Sequence, residues 1–299
     1  MQVVRQRGYP VRGMTLIEMV VSLLLISVIG AAVAVSVSPA IKSFLAQTQR
    51  ATLVDATESA LRRMARDIRI ALPNSVRITN TASGFALEVV PTVDGGRYCA
   101  TGLADCSTAS QLLDFSVADN NFDILGCFED SGFLGASGGS SYRLVIGNTG
   151  NEVYSGAPAV MTASGTTITI TTTSGTCGVG TGRHHVALGT AFLFGEQSPR
   201  QRVFVVQASS APVSYICDWS AGTLTRYAGY TFQSAQPTTA AAVGAATSTA
   251  VVAKGIPTNG CSVTSTTSNV QNTGIVILTL SLQAGKHLIP VIGQFHGIA

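Results

Sequence analysis

Charged residues are scarce in this chain of 299 residues, because Lys and Arg number 18 and Asp and Glu 15, which together make up 11% of it. Soluble globular domains usually carry about 25%. Disorder is excluded, since disordered chains combine high charge with low hydrophobicity and 46% of these residues are hydrophobic. Nucleic-acid binding is disfavoured, because it needs a dense basic surface. We therefore expect a folded protein with no nucleic-acid partner.

The few charges are unevenly distributed along the chain. Arg5, Arg7 and Arg12 precede position 14 without any acid, so the rest of the chain holds 15 basic and 15 acidic residues. The 23 residues from Met19 to Ile41 carry no charge at all. A helix of that length spans about 35 Å, and the hydrocarbon core of a bilayer is ~30 Å thick. The segment is therefore predicted to cross a membrane, with the arginines on the cytoplasmic side and everything after Lys42 outside.

Three interpretations of this apolar segment compete. A secretory signal would be cleaved at the A-x-A site 32–34, and a plain anchor would stay uncleaved in membrane lipid. The third interpretation depends on Glu18, because a charged residue at the centre of an inserting helix costs about 2.5–3.5 kcal/mol and is usually functional. A carboxylate near the helix start could also reach the headgroups. Glu18 alone therefore leaves the choice open.

The residues around Glu18 favour the third interpretation. The string Arg12-Gly13-Met14-Thr15-Leu16-Ile17-Glu18 runs directly into the apolar segment and resembles the prepilin signature of type IV pilins and type II secretion pseudopilins. The resemblance implies that residues 1–13 are a leader, that prepilin peptidase cuts between Gly13 and Met14, and that Met14 is then N-methylated. Glu18 takes the fifth mature position. Met14 departs from the usual Phe but is also apolar.

The position of Glu18 at the start of an apolar helix has a physical explanation. When such helices pack side by side in a fibre, the carboxylate is withdrawn from water, and a buried charge is tolerated only if it is paired. Cleavage creates a new amine at Met14. We expect Glu18 of one subunit to pair with the Met14 amine of its neighbour, which would set the axial register and make processing a condition for assembly.

Residues 43–72 are predicted to continue the helix in amphipathic form. Apolar residues recur at helical spacing along one face, namely Leu53, Leu61, Met64, Ile68 and Leu72. On the other face Glu58 and Arg62 stand four residues apart, as do Arg63 and Asp67, which favours ion pairs. The arginines of this stretch are interleaved with acids, so they indicate a solvated helix face rather than a basic binding patch.

Prolines divide the chain into its parts. Pro39 is predicted to kink the apolar half, residues 14–42, and Pro73 to end the helix before the region 73–299. In that region, β-branched and aromatic runs predict strands at 85–90, 142–146, 166–173, 202–207, 213–217, 224–230, 275–282 and 287–292. The Ala/Thr-rich segment 233–253 is predicted to be a surface loop. The predicted fold is α+β, a long kinked N-terminal helix packed on an antiparallel β-rich globular domain.

The cysteines fit a compartment that permits disulfides. All six follow the apolar segment and none forms C-x-x-C: Cys99, Cys106, Cys127, Cys177, Cys217 and Cys261. Six cysteines allow fifteen pairings, so the sequence alone does not assign them. The favoured pair is Cys217–Cys261, across the Ala/Thr segment. Cys99–Cys106 is sterically possible, and Cys127 and Cys177 are left to pair or to stay free.

Three patterns imitate catalytic or metal sites. Ser137 stands in a G-x-S-x-G pattern, but without the strand and helix that a nucleophile elbow needs. The neighbours His184 and His185 would face opposite sides of a strand. A calcium-like spacing links Asp119, Asn121, Asp123 and Asp130, although Ile124 stands where an EF-hand needs glycine, so calcium there is left open. We predict no catalytic residue, no cofactor and no metal, and a protein that is not an enzyme.

Several strings beyond the helix are similar to one group of minor pilins, those encoded with the mannose-sensitive haemagglutinin (MSHA) pilus. They lie at 113–126, 201–206, 213–217, 222–226 and 274–280. The similarity implies a role in pilus assembly and initiation within a tip complex, with other minor and major pilins and the inner-membrane assembly machinery as partners. It also implies a single-pass inner-membrane protein with a periplasmic C-terminal domain, which later reaches the pilus at the cell surface.

Two other classes stay open. A J-type minor pseudopilin of a type II secretion system has the same organisation, and residue chemistry does not separate it from a pilus subunit. A membrane-anchored periplasmic hydrolase would need Ser137 or His184 at its centre. The bulk of residues 73–299 favours a subunit at a tip over one repeated along a fibre, and adhesion there is compatible with that position.

Overall fold

The computed structural model describes residues 13–101, 103, 106, 108, 111–129, 139–157, 159–175, 177, 182–209, 211–266, 275–284 and 287–296. The chain divides into two compact units, Met1–Thr52 and Leu53–Ala299. The first unit contains the beginning of helix α1 (Leu16–Arg69), and the second contains its residues 53–69 together with all the strands.

Helix α1 is long, with 54 residues, and its assignment is continuous through Pro39. The predicted extension to residue 72 is wrong, because the helix ends at Arg69. The segment after it pairs instead with the chain beyond the first hairpin. Ala71 forms a β-bridge with Pro91, and the Leu72 amide donates to the Val90 carbonyl at 2.7 Å. Backbone pairing with a distant segment thus replaces the last helical turn.

Fourteen strands are assigned among the described residues, and two further short helices. The strands are β1 (Arg77–Thr81), β2 (Gly84–Val89), β3 (Asp94–Tyr98), β4 (Asp119–Leu125), β5 (Tyr142–Ile146), β6 (Ile168–Ser174), β7 (Arg183–Phe192), β8 (Arg202–Gln207), β9 (Val213–Asp218), β10 (Thr223–Ala228), β11 (Ser248–Lys254), β12 (Cys261–Thr266), β13 (Ile275–Ala284) and β14 (His287–His296). The short helices are α2 (Glu152–Ser155) and α3 (Ala240–Val243).

The strands form three sheets in which the paired neighbours run antiparallel. The five-stranded sheet has the order β1-β2-β9-β10-β11, the six-stranded sheet β5-β8-β3-β4-β7-β6, and the three-stranded sheet β12-β13-β14. All eight predicted strand segments overlap observed strands, and those at 142–146 and 202–207 have the predicted bounds. The predicted α+β class, a long helix packed against antiparallel sheets, is confirmed.

The largest core lies between the C-terminal part of α1 and two of the sheets. Met64 and Ile68 of α1 are buried in one cluster with Phe85 of β2, Tyr215 of β9 and Leu278 of β13. Each sheet presents alternate residues to this cluster, as the two-residue period of a strand requires. The amphipathic prediction for this part of the helix thus identifies the face that the domain covers.

The hairpin of β1 and β2 approaches β9 so closely that only glycine fits at its turn. Gly84 has φ +149°, and a Cβ built there would lie 2.1 Å from the Cys217 carbonyl oxygen. Any larger residue would collide with backbone. The turn therefore fixes the pairing of β2 with β9, in which Phe85 lies opposite Cys217.

The six-stranded sheet has a core of its own. Phe122, Leu144, Val186 and Val203 come from four of its strands and are each fully buried. Sequence patterns missed β3, β4 and β7 in this sheet. Gly, Asp and Asn, which are depleted in strands, occupy many positions of β3 and β4, and β7 contains no long run of β-branched or aromatic residues. Pairing with neighbouring strands decides their conformation.

The prediction of a surface loop at 233–253 is wrong in part. The segment contains α3, which Thr239 caps by accepting from the Ala242 amide at 3.2 Å, and most of β11, which pairs with β10. Its beginning is held by Arg77, whose guanidinium donates to the carbonyls of Gln233 and Ser234 at 2.7 and 2.8 Å. Composition alone did not indicate these partners, which lie far away in sequence.

Candidate assembly site

The N-terminal end of α1 carries the predicted processing and assembly residues. The helix begins at Leu16, and the amide of Glu18 donates to Thr15 Oγ1 at 3.4 Å. Thr15 is therefore the N-cap residue, and Glu18 stands three positions later, as in the T-x-x-E capping box. The sequence interpretation missed this cap, although the T-x-x-E spacing is a recognisable signal for it. Residues 15–18, the last four of the string that resembles a prepilin signature, thus also form the start of the helix.

The apolar part of α1 is exposed along its whole length. No residue of its most hydrophobic window is buried, and the helix is long and apolar enough to cross a membrane. Leu16, Leu24 and Ile29 keep 83%, 60% and 61% of their surface accessible. An apolar surface of this size needs a cover, which a bilayer or neighbouring apolar helices would supply.

Three serine hydroxyls within the apolar part are satisfied by the helix itself. Ser22 Oγ donates to the Glu18 carbonyl at 2.6 Å, Ser27 Oγ to Leu24 at 2.7 Å and Ser36 Oγ to Ala32 at 2.9 Å. A hydroxyl bonded in this way enters hydrocarbon without an unsatisfied donor. These three serines therefore do not oppose insertion of the segment.

The Glu18 carboxylate has no such partner. It is exposed in the first turn of α1, and none of the residues that the structure describes donates a hydrogen bond to it. Gly13 and Met14 precede the helix and are exposed as well. Cleavage at Gly13, methylation of Met14, pairing of Glu18 with a neighbour and a kink at Pro39 stay predictions.

The C-terminal part of α1 uses its acidic residue differently. Asp67 is buried, and its Oδ2 accepts hydrogen bonds from the Tyr215 hydroxyl and from Arg226 Nε, both at 2.7 Å. Burial and the hydrogen bond to Asp67 raise the pKa of Tyr215, so its hydroxyl keeps the proton that it donates. The helix is thus tied to β9 and β10 by a paired charge within the second unit.

This arrangement corrects one sequence prediction and agrees with another. Glu58 Oε1 accepts from Arg62 Nη2 at 2.6 Å, as the spacing of four residues predicts. The predicted pair of Arg63 with Asp67 is wrong, because Asp67 turns inward to Arg226. Arg63 and Arg66 line a shallow charged groove beside these residues. With acids interspersed, the groove has the mixed charge of a solvated face.

The six cysteines form three disulfides. Cys217 pairs with Cys261, the pair that the sequence analysis favoured, and Cys99 pairs with Cys106, which it called sterically possible. Cys127 pairs with Cys177, a pair that it left open. Cys217 ends up opposite Leu224 in the five-stranded sheet, and Cys261 begins the three-stranded sheet. This disulfide therefore connects two sheets.

Among the described residues, the calcium-like spacing on β4 does not form a metal site. Asp119, Asn121 and Asp123 lie on strand β4, and residues four apart on a strand are about 13 Å apart, too far to surround one ion as a calcium loop does. Asp123 Oδ1 instead contacts His185 Nδ1 at 2.6 Å. Asp130 and Ser137 lie outside the described residues.

The histidines face opposite sides of β7, as predicted. His185 reaches Asp123 on one side, while His184 is buried on the other and its Nε2 lies 3.0 Å from Cys177 Sγ. Burial lowers the pKa of His184. Among the described residues, no hydrogen bond joins either imidazole ring to a serine hydroxyl.

Comparison with known protein families finds a match at the start of the helix. The prokaryotic N-terminal methylation motif matches residues 10–34, a range that includes Gly13, Met14 and Glu18. No curated protein and no solved structure matches the chain. The motif indicates a type IV pilin or pseudopilin that prepilin peptidase processes. Together with the exposed apolar helix, it is consistent with an inner-membrane prepilin that later enters a pilus.

Proposed function

We propose that this chain is a minor type IV pilin of the MSHA type, similar to MshO, that takes part in pilus assembly and initiation within a tip complex. The observation that carries the proposal is the methylation motif placed at the start of a helix whose apolar residues are left exposed by the described part of the chain. Such a helix is suited to two successive environments, the bilayer before assembly and a bundle of like helices afterwards.

The geometry of the helix start supports a role for cleavage. Removal of the leader would place a free amine on Met14, one residue before the N-cap Thr15 and within one turn of Glu18. In the apolar centre of a fibre, an unpaired carboxylate is costly. The Met14 amine of an adjacent subunit is the complementary charge. Met14 and Glu18 therefore act together, Glu18 as the acceptor and Met14 as the donor.

The proposed partners follow from this chemistry. Prepilin peptidase acts on Gly13–Met14, other minor and major pilins pack along α1, and the inner-membrane assembly machinery extracts the subunit from lipid. Proteins of the pilin class are typically structural, and we propose no enzymatic activity and no cofactor. The C-terminal domain would fold in the periplasm, where the three disulfides form.

Support for the MSHA subgroup comes from the strings that resemble its minor pilins. Four of them coincide largely with strands of the domain, because 201–206 overlaps β8, 213–217 overlaps β9, 222–226 overlaps β10 and 274–280 overlaps β13. The alternative, a J-type minor pseudopilin of a type II secretion system, shares the motif and the helix. Deleting the gene separates the two, since a pilin mutant loses pili while a pseudopilin mutant loses secretion of folded proteins.

The first experiment is the intact mass of the membrane-extracted chain, measured with and without prepilin peptidase. We expect a chain that begins at N-methylated Met14 only when the peptidase is present. Gly13→Leu should leave a full-length protein, whereas the matched control Gly30→Leu, in the exposed middle of α1, should still be cleaved. A chain that begins after Ala34, or at Met1 in both strains, would contradict the proposal.

A second experiment isolates Glu18. Glu18→Ala should be cleaved normally but should reduce piliation at least tenfold, because the buried Met14 amine loses its counter-charge. Glu58→Ala removes an exposed acid from the same helix and serves as the control. Normal piliation in the Glu18→Ala strain would sink the pairing hypothesis while leaving the processing result intact.

A further inference from the structure

The three disulfides differ in how far they are shielded from solvent. Cys99 and Cys106 are 0% and 5% exposed, and Cys217 and Cys261 are 1% and 2% exposed. Cys127 and Cys177 are only half-buried. Since thiol–disulfide exchange requires a thiolate to reach a sulfur atom, access alone makes Cys127–Cys177 the most reactive of the three.

The same disulfide has a hydrogen-bond donor directed at one of its sulfur atoms. His184 Nε2 lies 3.0 Å from Cys177 Sγ, while the amide of Phe128 donates to His184 Nδ1 at 3.1 Å. Because Nδ1 accepts a hydrogen bond, the proton of the neutral ring is on Nε2. The ring therefore donates to Cys177 and not to Cys127.

The backbone around Cys127 holds the imidazole in this orientation. The His184 amide donates to the Gly126 carbonyl at 3.1 Å, so the residues on both sides of Cys127 contact His184. The ring is 2% exposed and packs near Phe128, with ring centroids 6.1 Å apart. Burial lowers the pKa of His184, which keeps it neutral near pH 7. The donor is thus pre-positioned.

A metal site is the competing explanation for this cluster. Cys127, Cys177 and His184 carry ligand types that zinc uses, and their ligand atoms lie within 4.8 Å of one another. The two sulfur atoms are bonded to each other, however, and the Nε2 atom that faces them carries a proton instead of a free lone pair. The cluster is arranged to donate a hydrogen bond to sulfur.

We propose that Cys127–Cys177 is an exchangeable disulfide of this protein, with Cys127 as the sulfur that a thiol attacks and Cys177 as the leaving group. An incoming thiolate forms a bond to Cys127 Sγ, the Cys127–Cys177 bond breaks, and its electron pair stays on Cys177 Sγ. The His184 Nε2–H stabilises that thiolate through a charge-assisted hydrogen bond. The co-reactant is a thiol, and a dithiol completes reduction by displacing Cys127 with its second sulfur.

The first test compares the three disulfides in the full chain in detergent micelles. The protein is treated with increasing dithiothreitol under native conditions, free thiols are alkylated, and the alkylated sites are mapped by mass spectrometry. We expect Cys127 and Cys177 to be alkylated at dithiothreitol concentrations that leave the other four cysteines unmodified. Simultaneous or earlier reduction of Cys99–Cys106 or Cys217–Cys261 would overturn the proposal.

The second test asks which sulfur is attacked. Brief exposure to reduced glutathione, followed by alkylation, traps the mixed disulfide in the wild-type chain. We expect glutathione on Cys127 and the alkyl group on Cys177. Equal amounts of adduct on the two residues, or an excess on Cys177, would show that His184 does not select the leaving group.

Variants of His184 test the donor itself. His184→Phe keeps a buried ring without a donor, and we expect reduction of Cys127–Cys177 to slow about tenfold. His184→Gln retains an amide donor and should recover much of the rate. His185→Gln, on the opposite side of β7, is the control and should react as the wild type does. Equal rates in all four proteins would refute the role of His184.

Discussion

The two parts of helix α1 show opposite relations between hydrophobicity and burial. Residues 16–52 are by far the more apolar, yet none of them is buried, whereas residues 53–69 are rich in charge and bury one face. Burial within this chain therefore does not follow the amount of apolar surface. It follows the presence of a complementary surface, which the β-rich domain provides only for the second part. Since no described residue covers the first part, we expect lipid or other helices to cover it.

Their acidic residues differ in the same way. Asp67 is satisfied inside the chain by Tyr215 and Arg226, while Glu18 has no partner among the described residues. The Asp67 carboxylate is therefore paired within the folded chain. The other is suited to an assembly, in which we expect a second copy or another pilin to supply the positive charge.

The largest effect that would sharpen this comparison is expected for Asp67→Ala. The change leaves the Arg226 guanidinium and the Tyr215 hydroxyl partly buried without their acceptor, so the free energy of unfolding should fall by about 3–5 kcal/mol. Urea unfolding of the full chain in detergent micelles measures it. Asp55→Ala, an exposed acid on the same helix, should stay within about 0.5 kcal/mol. A similar small change for both would mean that the buried pair contributes little.

Truncation of apolar residues is expected to have the next largest effect, and that effect should differ between the two parts of α1. Met64 is fully buried against both neighbouring sheets, so Met64→Ala should lower the free energy of unfolding by about 3 kcal/mol. Leu24→Ala removes more exposed apolar surface but should leave domain unfolding unchanged, because Leu24 is 60% exposed. Equal losses of stability for the two variants would contradict the distinction between apolar residues that the β-rich domain buries and apolar residues that it leaves exposed.

The smallest effect is expected at the helix cap. Thr15→Ala removes the acceptor for the Glu18 amide and should weaken the first turn of α1 by about 1 kcal/mol. Hydrogen exchange of the amides at 17–19 should speed up about fivefold in detergent micelles, while the amides of β9 keep their protection. Thr15→Ser retains the hydroxyl and is the matched control. Faster exchange throughout the domain would show that the two parts are energetically coupled.

Local patterns were sufficient for the helix and for much of the sheets. The spacing of Leu61, Met64 and Ile68 identified the buried face, and β-branched runs located β5 and β8 with their observed bounds. These features depend on residues within a few positions of each other. The end of α1 was missed because Leu72 pairs with Val90, and β11 was missed because an Ala/Thr composition does not reveal that β10 lies beside it.

The same contrast between local sequence patterns and long-range contacts applies to the candidate sites. The predicted leader, the predicted cleavage position and the expected role of Glu18 all depend on one short string, as does the helix cap, which is formed by contiguous residues. The disulfide Cys127–Cys177 and its histidine donor were not readable, because 50 residues separate the cysteines and the donor acts only through side-chain geometry. Asp67 likewise was assigned to Arg63 by spacing and belongs to Arg226, which is 159 residues away.

By itself the sequence determined the length of the apolar helix, the asymmetry of charge around it and the motif at its start, because each is a property of neighbouring residues along the chain. Only the tertiary structure decided which cysteines pair, which carboxylate is buried and which disulfide stays open to a thiol. Those outcomes depend on contacts between segments far apart in sequence, and their free energy exists only once the strands are aligned and the core is packed.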